Sequence, residues 1–464
     1  MNPYAILAHH VMVPVLDTLR GTRVAKRRAE LEDSQWWPIE RHREAQTLAL
    51  KSLIGYAFKQ VPYYRRMSAQ LGISAEDIQT LEDLTRLPLL TKDIIHANLN
   101  DLLADDYPRS RMRHSWTGGT TGSRMHFYTT RDNQLSWALP RWNRSMSMIG
   151  LAVGDPHVSI RQMTSRRKSP GERLFQGVSS RLQRLTRLDT VSVSEENLDS
   201  ILRAIECAAP CSLAGYPSGL AFIAQYIKDT GRRPPRITAS MVGGEQLLPH
   251  QNSLMKEVFG SEPYNRYGSN ELLEAAAECP ARDGLHASIE DFVIEVVDDS
   301  GNPVGEGETG QLVFTNLRSY GMPFIRYAIG DLGALMPGQC PCGRTLPRIH
   351  PMVGRAIDFL YTRDGRRIAP MQMDMSPLTE LGVTQFRIVQ HDLNRLSVTL
   401  VAGSQSDDAD GHTTILQTTR STLESLFGET LDIDVQFAAD IKMNISGKRL
   451  AVMSDVPRTT TGSQ

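Results

Sequence analysis

Between His157 and Phe259 the sequence alternates short strand-like runs with longer amphipathic ones: His157 to Arg161, Leu198 to Ala208, Cys211 to Gly215, Ser218 to Lys228, Ile237 to Val242 and Pro249 to Phe259. Parallel strands need a crossover long enough to hold a helix, so this alternation restricts the region to βαβ units around a parallel sheet. From Asp291 the texture changes to short strands, Phe292 to Val297, Gln311 to Thr315 and Pro323 to Tyr327, broken by turns such as Gly305-Glu-Gly-Glu308. A second change near Gly354 opens Phe359 to Thr362, Phe386 to Gln390, Leu396 to Val401, a helix from His412 to Phe427 and a strand from Leu431 to Phe437. The expected fold is therefore α/β: a large N-terminal domain of βαβ-type subdomains with a β-rich subdomain, followed by a small C-terminal α+β domain.

A chain of 464 residues is too long for one ordinary core. Its 51 Lys and Arg against 52 Asp and Glu leave a net charge of −1, which gives no global electrostatic case for a nucleic-acid partner. The five cysteines are too few and too unevenly spread for a secreted disulfide framework, so a reducing, cytoplasmic setting is expected. Ala5 to Leu16 is apolar but interrupted by His9, His10 and Pro14, and the basic cluster Arg20 to Arg28 follows it. That is the reverse of a signal peptide, and the run falls short of the ~18 apolar residues a bilayer span requires. We read it as a helix docked on the large domain with a solvated basic face; a weak membrane-surface contact is the alternative. From Ile39 to Met67 apolar positions recur near helical spacing and the run ends in Pro62-Tyr-Tyr, which reads as a surface helix, and in Arg131 to Gly150 the stripe Trp137, Leu139, Trp142 and Met146 packs in a core or lines a pocket. Thr164 to Gly171 reads as an exposed basic loop.

The stretch Ser115-Trp-Thr-Gly-Gly-Thr-Thr-Gly-Ser-Arg124 joins two strand-like segments, Arg111 to Trp116 and Met125 to Thr130. Glycines allow successive N–H groups to turn toward one anion, and hydroxyls add donors, so the loop suits a phosphate cradle; an ordinary Gly/Thr turn is the alternative. No Walker pattern is present. A second cluster is Cys279-x₆-His286 with Cys340-x-Cys342. Three thiolates and an imidazole form a closed tetrahedral set suited to structural Zn²⁺, against the alternative of scattered reduced cysteines. Cys207 and Cys211 fall outside the set and are expected to be buried packing residues.

Val242-Gly-Gly-Glu-Gln246, Tyr264-Asn-Arg-Tyr-Gly-Ser-Asn-Glu271, Phe324-Ile-Arg-Tyr-Ala-Ile-Gly-Asp331, Val353-Gly-Arg-Ala-Ile-Asp358 and Ile445-Ser-Gly-Lys448 follow the cradle in order. In that order they resemble the core motifs of the acyl-adenylate-forming superfamily. Glu278-Cys279, Gly284-Leu-His286 and Cys340-Pro-Cys-Gly-Arg-Thr-Leu-Pro-Arg-Ile349 resemble its phenylacetate–coenzyme A ligase branch, which includes relatives encoded with capsule and exopolysaccharide enzymes. The resemblance implies ATP-dependent, AMP-forming activation of a carboxylic acid, aromatic or apolar, followed by transfer to coenzyme A. It implies that Thr117, Thr120, Thr121 and Ser123, on the glycines Gly118, Gly119 and Gly122, hold the β- and γ-phosphates. Gly243, Gly244 and Glu245 with Tyr267, Gly268 and Ser269 would wall the adenine, Asp331 would bind the ribose and Glu271 a Mg²⁺ ion. Arg355 would reach the nucleotide, and Lys448 would meet the α-phosphate from a mobile small domain. It also suggests boundaries: 1–90 for the N-terminal helical region of the large domain, 91–353 for its nucleotide- and acid-binding body, 354–457 for the small domain and 458–464 for a tail. Three departures mark this chain: Arg124-Met125 after the cradle where the family has Pro-Lys, Ile357 where the hinge has an acid, and Arg363-Asp-Gly-Arg-Arg-Ile368 in place of a glycine-centred loop. They leave open an amine or sugar-hydroxyl acceptor in polysaccharide or secondary-metabolite biosynthesis, and a catalytically silent nucleotide-binding scaffold. A homodimer is compatible with the sequence.

Overall fold

A computed structural model describes residues 3–117, 125–161, 170–189, 195–350, 360–364, 366–368, 373, 375–402, 409–428, 431–441 and 452–456. The chain opens with α1 (Pro3–Leu7), a π-helical turn (Ala8–Met12), α2 (Val13–Arg20), α3 (Val24–Ser34), α4 (Ile39–Gln60), α5 (Pro62–Leu71) and α6 (Lys92–Ala97). β1 (Met112–Trp116) and β2 (His126–Thr130) form an antiparallel hairpin, and a second π-helical stretch (Asn133–Ala138) runs into α7 (Leu139–Met148). Strands and helices then alternate: β3 (His157–Arg161), α8 (Pro170–Leu182), β4 (Leu185–Asp189), α9 (Glu195–Ala208), β5 (Cys211–Gly215), α10 (Pro217–Asp229), β6 (Ile237–Gly243), α11 (Pro249–Phe259) and β7 (Tyr264–Ser269). Strands dominate the next part: β8 (Leu273–Glu278), β9 (Leu285–Ala287), β10 (Phe292–Val297), β11 (Gly310–Asn316), β12 (Tyr327–Gly333), β13 (Leu335–Met336) and β14 (Arg348–Ile349). The last part holds β15 (Leu360–Tyr361), β16 (Arg367–Ile368), α12 (Ser376–Glu380), β17 (Val383–Gln390), β18 (Arg395–Ala402), α13 (Ala409–Phe427), β19 (Asp432–Phe437) and β20 (Val452–Ser454).

The central sheet has nine strands in the order β13-β14-β9-β8-β7-β6-β5-β3-β4. Its half from β4 to β7 is parallel, as the alternating pattern requires, and the other half is antiparallel. Val158, Leu213 and Val242 on the strands pack with Leu202 and Ile223 on the crossover helices. β10-β11-β12 make a separate antiparallel sheet, and β19-β18-β17-β20 carry α12 and α13 over a core that includes Ile388, Leu396 and Leu423. The two parts touch where His250 on α11 lies 5.8 Å from the Phe386 ring. The boundary expected at 354, the tail 458–464 and most of the basic loop (164–169) fall outside the described residues.

Four expectations change. The helix expected from Ile39 to Met67 breaks at Val61, whose φ of −112° is extended because the following Pro62 disfavours helical geometry there. The strand expected at 323–327 instead begins at Tyr327, after Arg326 at φ +50°. Cys211 is buried, but Cys207 is exposed, since it lies on the outer face of α9. The N-terminal helices dock inward through Ala5, Ala8, Val13 and Leu16, and the face left to solvent is apolar along Pro3–Arg20 and basic only beyond it, at Arg23 and Lys26.

One buried carboxylate joins these parts. Asp291, fully buried, is bridged by Arg27 of α3 at 2.7 Å, Arg141 of α7 at 2.7 Å and Arg318 after β11 at 3.1 Å. Beside it Glu290 accepts from Arg144 at 2.5 Å and from Ser34 at 2.7 Å. Burial alone would raise the Asp291 carboxyl, but the charges of the three arginines outweigh it and hold it well below the usual carboxylate range. A depressed folded-state pKa gives stability that is complete above the unfolded value and is lost as pH falls through the folded one. Asp291→Asn, which leaves three guanidinium groups facing a neutral amide, should therefore lower unfolding stability by about 3–5 kcal/mol at neutral pH. In denaturant melts the gap between parent and variant should hold steady down to about pH 5 and narrow below about pH 4.

Candidate functional site

The cradle is closed at its base by the hairpin: Thr117 N–H donates to Met125 O at 3.0 Å, and Met125 N–H to Thr117 Oγ1 at 3.3 Å. Gly118, Gly119, Thr120, Thr121, Gly122 and Ser123 lie outside the described residues. Opposite, at the C-terminal ends of the parallel strands where α/β sheets bind ligands, β6 ends in Gly243 and β7 in Gly268-Ser269. Both glycines are forced by contact: a Cβ on Gly243 would stand 2.7 Å from Arg266 O, and one on Gly268 1.8 Å from Leu273 O. Gly244 follows at φ +84°, and Glu245 accepts from Ser218 N–H at 3.2 Å in the first turn of α10, where a carboxylate suits the helix dipole. Ser269 Oγ accepts from Leu272 N–H, which fixes the turn that presents Glu271. Asn270 donates to Trp116 O at 2.9 Å and ties that turn to the hairpin strand leading into the cradle.

The two site acids are held by a reciprocal pair of phenols. Tyr267 donates to Asp331 Oδ2 at 2.8 Å, and Tyr327 donates to Glu271 Oε1 at 2.8 Å. In each segment the tyrosine precedes its own acid by four residues, so each strand positions the other's carboxylate. Tyr327 is fully buried, and burial followed by the Glu271 charge pushes its phenol well up, so it stays protonated and donating at neutral pH. Glu271 and Asp331 are themselves almost wholly buried. Tyr267 rests one ring face on Phe314 at 5.9 Å. Arg141 donates to Glu274 O at 2.6 Å and Leu272 O at 3.1 Å, so the Asp291 cluster grips the segment directly after Glu271.

The expected metal-binding residues come together. Cys279, His286, Cys340 and Cys342 place their ligand atoms within 4.8 Å of one another at the end of β8, on β9 and on the turn between β13 and β14. Cys279 Sγ and Cys340 Sγ are 3.7 Å apart, and Cys342 Sγ is 3.3 Å from His286 Nε2. A tetrahedral Zn²⁺ with Zn–S of ~2.3 Å and Zn–N of ~2.0 Å separates its ligand atoms by ~3.4–3.8 Å, so the set fits. His286 Nδ1 sits 3.2 Å from Leu346 O, which favours the proton on that nitrogen and leaves Nε2 facing the thiols. Burial pushes the Cys279 thiol up to about 12 and the His286 imidazole down to about 4. Against its own burial, hydrogen bonds from Arg344 pull Cys342 down.

Arg355 and Lys448 lie outside the described residues. Sequence reading missed Tyr327 and Asn270, although the repeated tyrosine-to-acid spacing in the two motifs was available as a signal. Of the aromatic stripe, Trp137 lies between the guanidinium groups of Arg27 and Arg318, and Trp142 under that of Arg266 at 4.0 Å, so both pack rather than open a pocket.

A large α/β body carrying the β1–β2 hairpin, followed by a small α+β unit, is the architecture expected from the sequence. The chain superposes on 2-hydroxyisobutyryl-CoA ligase in the postadenylation state with a TM-score of 0.75 at 20% identity, covering 91% of this chain and 93% of that one. The same enzyme in its thioesterification state gives a TM-score of 0.60 over the same shares. In sequence, the phenylacetate-coenzyme A ligase of Thermus thermophilus is 29% identical over 73% of this chain and 75% of its own length. That of Pseudomonas putida is 27% identical over 75% and 78%. Residues 360–455 match the family described as the CapK C-terminal domain. The chain is thus similar in sequence to phenylacetate–coenzyme A ligases and shares the fold of a CoA ligase solved with an acyl-adenylate.

The crossed phenols make separable predictions. If Glu271 holds Mg²⁺, Tyr327→Phe should weaken Mg²⁺-ATP binding in calorimetry about tenfold or more, the loss of one hydrogen bond to a charged group, while leaving metal-free ATP binding nearly unchanged. If Asp331 holds the ribose, Tyr267→Phe should instead reduce the preference for ATP over 2′-deoxy-ATP.

Proposed function

We propose that the chain activates a carboxylic acid with ATP, releasing pyrophosphate, and then transfers the acyl group from AMP to the thiol of coenzyme A. In the first step a carboxylate oxygen of the acid bonds to the α-phosphorus as the bond to pyrophosphate breaks; in the second, sulfur bonds to the acyl carbon and AMP leaves. The observation that carries this reading is the pair of phenol-held carboxylates, Glu271 and Asp331, beside the cradle hairpin, in a chain related to phenylacetate–coenzyme A ligases. Glu271 would hold a Mg²⁺ ion, which neutralises phosphate charge when bound, and Asp331 would fix the ribose. Thr117 with Gly118, Gly119, Thr120, Thr121, Gly122 and Ser123 would orient the terminal phosphates. Gly243, Gly244, Glu245, Gly268 and Ser269 would border the base, with Tyr267 acting through Asp331. Arg355 and Lys448 would approach the nucleotide from the junction and from the small unit. An aromatic or apolar acid is favoured by the ligase relatives. The thiols and the use of ATP and coenzyme A suit a reducing, cytoplasmic compartment.

Ile357 at the hinge and the CapK-type match over residues 360–455 favour a second reading, in which the acceptor is an amine or a sugar hydroxyl of polysaccharide assembly. Labelled pyrophosphate should exchange into ATP only with a suitable acid and Mg²⁺, and product assays with and without coenzyme A separate the two acceptors. Lys448→Ala should slow exchange ~10²–10³-fold. The same variant should still turn over a supplied acyl-adenylate, because the small unit rotates between steps. No exchange over a broad panel of acids would leave a silent nucleotide-binding scaffold.

We further propose that Cys279, His286, Cys340 and Cys342 hold one structural Zn²⁺, supported by their separations and by the absence of room in a four-ligand set for a reactive water. Elemental analysis should find about one zinc per chain, and Cys340→Ser should lower both zinc content and melting temperature, since metal binding is coupled to folding.

A further inference from the structure

Eleven large apolar side chains are exposed among the described residues, and seven of them lie on two adjoining helical elements. Leu7, Val11, Val15 and Leu19 recur every four residues, with Ile6 beside Leu7, along the outer face of the run from Pro3 to Arg20. Leu174 and Val178, 73% and 47% exposed, stand one turn apart on α8. From Pro3 to Leu19 the only charged side chain is Asp17, which is turned inward and accepts from Val24 N–H at 3.0 Å and Ala25 N–H at 2.8 Å. The two elements abut: Tyr4 donates to Leu182 O at 2.9 Å, Arg20 to Ser179 Oγ at 3.1 Å, and the Arg184 guanidinium lies 3.9 Å above the Tyr4 ring.

The rim of this face is cationic. Arg23, Arg173, Arg181, Arg184 and Arg187 are exposed around it, and Arg131 and Arg187 are close enough to act electrostatically on Arg20. Over Pro3–Arg23 and Pro170–Leu188 the acids are only Asp17 and Glu172. A two-fold dimer would set this arginine rim against its own copy, because an isologous interface pairs a patch with itself. An anionic bilayer complements both features, taking the apolar side chains into its headgroup boundary and the guanidinium groups at its phosphates. Among the described residues no helix is long and apolar enough to cross a membrane.

We propose that the helical run Pro3–Arg20 and α8 form one surface on which the protein lies flat against an anionic lipid bilayer. This docking is independent of the acyl-transfer chemistry and is read without it.

The test is flotation of the full chain with phosphatidylcholine vesicles, with and without phosphatidylglycerol. The protein should float with the anionic vesicles and be released by salt. Val15→Glu with Leu19→Glu should weaken partition about tenfold or more, as burial of a few methylene groups is lost. Arg23→Gln with Arg181→Gln should weaken it about 25-fold, or about fivefold per removed cation. Pyrophosphate exchange in solution should be unchanged in both variants, which establishes that they are folded. Absence of flotation with anionic vesicles, equal partition of parent and variants, or a stable dimer in sedimentation that Val15→Glu with Leu19→Glu dissociates would each overturn the proposal, the last by assigning the face to a second copy.

Discussion

The site rests on the burial of one carboxylate among three guanidinium groups. Asp291 receives Arg27 from the N-terminal helices, Arg141 from α7 and Arg318 from the β-rich part, so three regions far apart in the chain meet at one charge. Such a cluster is costly to desolvate and is tolerated only where hydrogen bonds complete it, and here Arg141 uses its remaining donors on the carbonyls of Leu272 and Glu274. Those carbonyls belong to the segment that follows Glu271. The charge cluster is thereby an anchor for the acid at the site.

From that anchor outward the site is built by cross-reference between strands. β7 supplies Tyr267 for the acid on β12, and β12 supplies Tyr327 for the acid after β7. β7 and β12 belong to different sheets, so a displacement of one sheet against the other would lose both hydrogen bonds together. The close approach of Gly268 to Leu273 O, with Leu273 itself at φ +61°, is local strain in the β7–β8 turn that carries Glu271.

Much of this was legible in the sequence because it depends on local pattern. The parallel half of the sheet follows from alternating periodicity between His157 and Phe259, and the cysteine and histidine cluster from residue chemistry alone, although Cys279 and Cys340 are far apart in the chain. What was not legible depends on tertiary partners. Nothing local indicates that Tyr327 reaches Glu271, that α9 turns Cys207 outward, or that Ala5, Ala8, Val13 and Leu16 take the inward face of the N-terminal helices while Val11, Val15 and Leu19 point to solvent. The break at Val61 was available from Pro62, but helical spacing across it conceals the change of direction.

The cysteine and histidine cluster lies where the central sheet is weakest. Its outermost strands, β13 and β14, are two residues long each and contribute very little ladder. Side chains from β8, β9 and the Cys340 turn converge where backbone pairing is scant, and under the proposed Zn²⁺ they would secure the margin that the ladder does not. A margin this short offers another chain almost no template for pairing, so the same cluster that fastens the fold also limits edge-to-edge association on that side.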